Sequence, residues 1–201
     1  MCPSFSYLRG LDMNSFKENI RGKLVAAAKA YLECFINVEY LIYSRFFVCK
    51  RYYILTAKED NFLHLTGVTS SLSPKEFFSK CISDELTEND FDIFSKQQKG
   101  SVRRKVGVLS TACHMFMQEK LVAEEQFIKN RIRCAIASSD GSCTLGFTDT
   151  QLHVPQTLLK GNELTHPVQI EAILSRQAGE VKFNNIIFIK SDIAINQIFD
   201  N

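Results

Sequence analysis

Residues 131–147 read RIRCAIASSDGSCTLGF. Ile132, Cys134 and Ile136 recur at every second position with Arg131 and Arg133 on the alternate ones, which is the period of a strand whose two faces differ. Asp140-Gly141 interrupts the run, and the alternation resumes at Cys143, Leu145 and Phe147. An Asp-Gly pair between two alternating runs is a hairpin signal, because a tight turn needs positive φ and glycine takes it without steric cost. This stretch commits the second half of the chain to antiparallel pairing.

Downstream, 155–160, 168–175 and 183–190 are three further strand candidates, joined through Gly161-Asn162 and Ala178-Gly179. With the hairpin they predict an antiparallel meander over 131–190, one face buried and one polar. Upstream the period is helical. Phe16, Ile20, Leu24, Ala27, Tyr31 and Phe35 recur every three or four residues behind a cap at Asn14, predicting a helix over 15–35. Aromatic and β-branched runs at 40–43 and 52–56 suit a strand pair. Ser73-Pro74-Lys75-Glu76 is a capping box with proline at the first helical position, and Thr87 is a second start signal. Val102, Val106, Leu109, Cys113 and Phe116 form one stripe of a helix over 101–117. With no repeat, low-complexity tract or linker, the reading is a single α+β domain over 1–201. Its 15–130 half is mainly helical with a strand pair, and its helices pack on a mainly antiparallel sheet.

Composition excludes several classes. A chain of 201 residues with 45% hydrophobic and 23% charged side chains can bury a real core. A net charge of +2 leaves any electrostatic role to local clusters. The seven cysteines are odd in number and never paired as C-x-x-C, so reduced thiols are expected rather than disulfides or zinc. Arg9, Asp12, Lys17, Glu18 and Arg21 break any amino-terminal signal, and Lys29, Glu33, Glu39 and Arg45 break the most apolar stretch, 24–48. A cytoplasmic protein with no membrane span is expected.

No phosphate-binding glycine loop, H-E-x-x-H or G-x-S-x-G occurs, and His64, His114, His153 and His166 do not lie at metal-ligand spacings. No metal and no cofactor is expected. Basic and hydroxyl groups remain. Arg131, Arg133, Thr144, Thr148, Gln169, Glu171 and Ser175 fall on the outward side of the expected sheet, with Lys160 and Arg176 near strand ends. They fit either a solvated face or a substrate-facing one. Lys96, Lys99, Arg103, Arg104 and Lys105 fit either phosphate binding or charge balance with the acidic run Asp84, Glu85, Glu88, Asp90 and Asp92. His114 reads as a core-edge residue, and His153 and His166 read as surface residues. His64 stands in 61–68, NFLHLTGV, where Thr66 and Gly67 end a strand-like run and can hold a side chain rigid yet accessible.

The element order and NFLHLTGV together resemble a family: the fourth phage-associated group of predicted nucleases in the barnase, EndoU, colicin-nuclease and RelE-like superfamily. The matching residues are 61–68, then Glu76-Phe77-Phe78, then Pro155-Gln156-Thr157-Leu158-Leu159-Lys160, within a likeness over roughly 15–190. The resemblance implies helices packed against an antiparallel sheet whose concave face cleaves RNA without a metal.

Such cleavage needs a group to take the 2′-hydroxyl proton, one to protonate the leaving 5′-oxygen, and cations for the charge on phosphorus. The expected catalytic residues are His64, Thr66, Lys160 and Arg176. The expected RNA-binding residues are Arg103, Arg104, Lys105, Arg131, Arg133 and Ser175. The function expected is a ribonuclease of phage or mobile-element origin acting by 2′-OH transesterification, with RNA as partner and a protein inhibitor or antitoxin as a second. The alternative is a non-catalytic RNA- or protein-binding module on the same fold, which the low net charge favours.

Overall fold

The computed structural model describes residues 5–199, with side chains from 13 onward. Cys2 and the side chains of Arg9 and Asp12 lie outside the described residues. In chain order the first elements are α1 (Phe5–Cys34), β1 (Val38–Tyr43), β2 (Tyr52–Leu55), α2 (Glu59–Thr66), α3 (Pro74–Ile82) and α4 (Lys96–Cys113). After a short 3₁₀ turn come β3 (Val122–Glu125), β4 (Ile128–Lys129), β5 (Ile132–Arg133), β6 (Ile136–Ser139) and β7 (Cys143–Phe147). The chain continues through β8 (Pro155–Lys160), β9 (Val168–Gln169), β10 (Ala172–Gln177), β11 (Asn185–Ile189) and α5 (Ile195–Phe199). This is an α+β fold, and its strands pair antiparallel.

The late strands divide between two larger sheets and a two-stranded ribbon, β4-β5, rather than forming the single meander expected over 131–190. One sheet has the order β11-β10-β1-β2 and the other β8-β7-β6-β3-β9. The expected strand over 168–175 is broken at Ile170 and Glu171, so β9 ends one sheet and β10 enters the other. Ile170 N–H donates to Leu121 O and Glu171 N–H donates to Tyr43 O, which hands the chain from one sheet to the next.

The helices cover these sheets. Along α1, Ile20, Leu24, Ala27, Tyr31 and Phe35 are buried at helical spacing, as the sequence pattern requires. The helix α3 starts on its capping box: Ser73 Oγ accepts from Glu76 N–H, and Glu76 accepts from Ser73 N–H. Phe77, Phe78 and Cys81 are buried on its inner face. Thr87 starts no helix. Its amide and hydroxyl instead donate to Asp90 Oδ2, closing a local turn of the kind that competes with helix initiation. The helix expected over 101–117 spans 96–113, capped by Ser95 accepting from Gln98 N–H.

The expected Asp140-Gly141 turn joins β6 and β7, with Ser139 opposite Thr144 and Gly141 at φ 91°, but Ile132 and Arg133, expected in its first strand, form β5 and pair with β4. Neither β6 nor β7 has a solvent face: all nine of their residues are buried. Thr144, Glu171 and Ser175, expected on an outward face, are therefore interior residues with hydrogen-bond partners. Thr144 Oγ1 donates to Gly161 O, Glu171 accepts from Arg45, and Ser175 Oγ accepts from Asn185. Gly146 is required by proximity, since a Cβ there would lie 2.6 Å from Cys134 Sγ and 2.8 Å from Thr157 Cγ2.

The segment NFLHLTGV is the larger departure. It is not a strand end but the body and end of α2. Phe62, Leu65 and Thr66 are buried at positions i, i+3 and i+4, so the apolar period is helical. Gly67 terminates the helix at φ 78°, a left-handed conformation that glycine adopts freely.

Candidate active site

The two sheets meet where the loop 44–51 between β1 and β2 comes down on the end of β3. Three successive amides of that loop, Val48, Cys49 and Lys50, point at the Glu125 carboxylate at 2.6, 3.0 and 3.2 Å. Tyr53 on β2 adds a fourth donor, its hydroxyl 2.7 Å from Glu125 Oε1. Burial pushes the Tyr53 phenol well above its ordinary value and the adjacent carboxylate pushes it further, so it remains a protonated donor. Three consecutive amides around one anion form a concave backbone socket. Glu125, the last residue of β3, thereby fixes a loop of one sheet against the edge of the other.

The next contact joins a histidine to a lysine of the same loop. His153, between β7 and β8, joins the end of β2 through a bridge to Leu55, and its carbonyl accepts from Thr56 N–H. Its Nδ1 lies 2.8 Å from Thr148 O. A carbonyl only accepts, so Nδ1 carries the proton and Nε2 holds the lone pair. Nε2 lies 3.0 Å from Lys50 Nζ, which donates to it. The Tyr53 ring packs 5.4 Å from the imidazole, centroid to centroid, and the Lys50 ammonium sits 5.5 Å above the same ring. His153 is only 4% exposed, whereas Lys50 is exposed, so the pair opens to solvent from the lysine side. The arrangement offers a fixed basic nitrogen, an exposed ammonium in contact with it, and a clamp that sets the position of the loop bearing the ammonium.

The residues singled out from sequence are dispersed. His64 is exposed on α2. Thr66 is fully buried, and its hydroxyl donates to Leu63 O and accepts from Val68 N–H, which closes the end of α2. Arg176 on β10 is held by Glu39 at 2.6 Å, donates to Val181 O, and stacks 4.3 Å from the Phe183 ring. Ser175 beside it is interior. Lys160 lies at the end of β8, on the other sheet, in a hollow that it shares with Arg104 and Lys105. His64 lines neither the Lys160 hollow nor the one at Arg176. Arg103 turns away to Phe16, its guanidinium 5.5 Å from the ring. Arg131 and Arg133 belong to the small β4–β5 hairpin, where Asn130 and Arg131 both have positive φ, at 50° and 67°. The acids of the 84–92 run pair elsewhere: Asp84 with Arg21, Asp90 with Lys80 and Asp92 with Lys17.

Sequence reading missed Lys50, Tyr53 and Glu125 and placed His153 on the surface. The pairs that make the site are 103 and 72 residues apart, so no local spacing carries them. Among the described residues no group of three or more His, Cys, Asp or Glu side chains is arranged to hold a metal ion. Likewise, no helix there is long and apolar enough to cross a membrane.

The sequence profile of one family, described as phage-Barnase-EndoU-ColicinE5/D-RelE like nuclease4, matches residues 23–192. The matched span contains both sheets and every member of the Lys50, Tyr53, Glu125 and His153 cluster. No curated protein and no solved structure matches the chain.

Proposed function

Because the chain belongs to this nuclease family, we propose that it cleaves RNA at the junction of its two sheets, with His153 and Lys50 as the proton-transferring pair. The observation that carries this reading is the 3.0 Å contact between Lys50 Nζ and an imidazole nitrogen whose lone pair is fixed by Thr148. A substrate phosphate draws the exposed ammonium off Nε2 and frees it as a base. Nε2 then takes the proton of the ribose 2′-hydroxyl, and the 2′-oxygen attacks phosphorus. The bond to the 5′-oxygen breaks, and the Lys50 ammonium, already against the phosphate, gives that oxygen a proton. The products are a 2′,3′-cyclic phosphate and a free 5′-hydroxyl. Proton transfer of this kind contributes about 10²–10⁴-fold. Glu125 and Tyr53 act through Lys50, one by fixing its loop and the other by packing its ring against both reacting groups. The reading carries with it a cytoplasmic site of action on RNA and no need of a metal in the chemical step.

The test is direct. The purified chain, incubated with total RNA in excess EDTA, is expected to give fragments ending in cyclic phosphate, and cleavage should survive the chelator. RNA left intact across single-stranded and structured substrates would leave a binding module on this fold, the second reading that the near-neutral charge favours.

A further inference from the structure

We propose that the hollow at the far end of β8 is a separate subsite for the RNA backbone, taking a phosphate several nucleotides away from the one being cleaved; the inference rests on the cleavage reading above. The hollow has a volume of about 180 Å³ and is lined by Ser101, Arg104 and Lys105 of α4, Asn130 of the β4–β5 turn, and Thr157 and Lys160 of β8. Three of these six are cations and none is an acid. Among the described residues, no ion pair or hydrogen bond engages the Arg104, Lys105 or Lys160 side chain. Arg176 shows the contrast, since a carboxylate, a carbonyl and a ring occupy it.

Lys105 is held there by construction. Its stem packs on Gly67, where a Cβ would lie 3.1 Å from Lys105 Cδ, so the glycine that ends α2 is also what admits the lysine. Burial alone shifts the Lys105 ammonium below its ordinary value, the mark of a cation placed without a counter-charge. A half-buried, unpaired ammonium between two further cations is unfavourable in the free protein and is relieved by an anion. Hydroxyl and amide groups from Ser101, Thr157 and Asn130 supply the hydrogen bonds that a phosphate oxygen accepts.

Position identifies the ligand as a chain of phosphates rather than a single one. β8 has six residues, about 20 Å at a strand rise of roughly 3.3 Å each, with His153 before its first residue and Lys160 as its last. A short RNA reaches one end and a longer one reaches both.

The experiment compares the unaltered protein with a Lys105→Met, Lys160→Met double variant, methionine preserving the packing on Gly67. Binding of a fluorescently labelled 20-nucleotide 2′-O-methyl RNA, which lacks the hydroxyl that cleavage needs, is followed by anisotropy across a salt series, and cleavage of an ordinary dinucleotide is followed separately. The double variant is expected to bind the 20-mer at least tenfold more weakly. Its salt dependence should fall by about 0.7 in log–log slope for each phosphate that the protein no longer neutralises, with dinucleotide cleavage unchanged. If the double variant binds the 20-mer as the unaltered protein does, the subsite is overturned while the cleavage reading stands. Binding of a labelled polyglutamate peptide is measured alongside, and its weakening in the double variant with RNA affinity intact would also overturn the subsite, assigning the hollow to an acidic peptide. If the unaltered protein neither binds nor cuts RNA, both readings fall together.

Discussion

His64 and His153 make an instructive pair. The first stands in the most conspicuous segment of the sequence, beside a threonine and a glycine, yet it is exposed on a short helix and lines neither basic hollow. The second stands in an ordinary loop before a proline, yet one of its nitrogens is fixed by a carbonyl and the other touches an ammonium. A histidine becomes useful when its tautomer and its neighbour are both determined. The same contrast separates the cations, since Arg176 is fully engaged and the Arg104, Lys105 and Lys160 group is open.

The comparison breaks most sharply at His153. Replacing it with alanine should lower single-turnover RNA cleavage by about 10²–10⁴-fold, measured on protein whose circular dichroism is unchanged; full activity would return the catalytic role to His64. Arg176→Ala should act on stability instead. It strands Glu39, whose side chain is 16% exposed, and should cost about 2 kcal/mol in urea denaturation, with residual activity set only by the fraction folded. A large activity loss at unchanged stability would move Arg176 into the site.

Glu125→Gln sharpens the picture further. The amide keeps size and one acceptor but loses the charge that the three loop amides surround, so Lys50 is held less firmly. We expect about a tenfold fall in the chemical step, the cost of a small misplacement of a reacting group being of this order or greater, with little change in RNA affinity. The smallest effect belongs to His64→Ala, a change on an exposed helix surface. Stability should move by less than about 0.5 kcal/mol, and cleavage by less than twofold if His153 is the base.

What sequence reading reached was what local chemistry determines. The Asp140-Gly141 hairpin, the Ser73 capping box and the β8 strand each have their whole cause within a few residues, and each formed. The run 61–68 was misread because eight residues of mixed apolar pattern fit either period, and the choice was made by burial of Phe62, Leu65 and Thr66 against α1, α3 and α4. The outward sheet face was misread because alternation reports two different faces but not what covers the polar one. Thr144 and Ser175 are polar and interior because a carbonyl at the Gly161 turn and the Asn185 amide at the start of β11 reach them. The division into two sheets was illegible for the same reason. β1 chooses β10 and β3 chooses β6, and nothing in either strand names its partner.

The joining of β1 to β10 also sets when this sheet can be completed. Glu39 and Arg176, which face one another across that pair, are 137 residues apart. At a synthesis rate of roughly 5–20 residues per second, β1, already paired with β2 on one side, waits about 7–30 s before β10 exists on the other. The loop that carries Lys50 springs from β1 and β2, and it meets His153 only after 103 further residues have been made. On the proposed mechanism the base is His153, so a nascent chain that ends before it carries no complete proton-transferring pair.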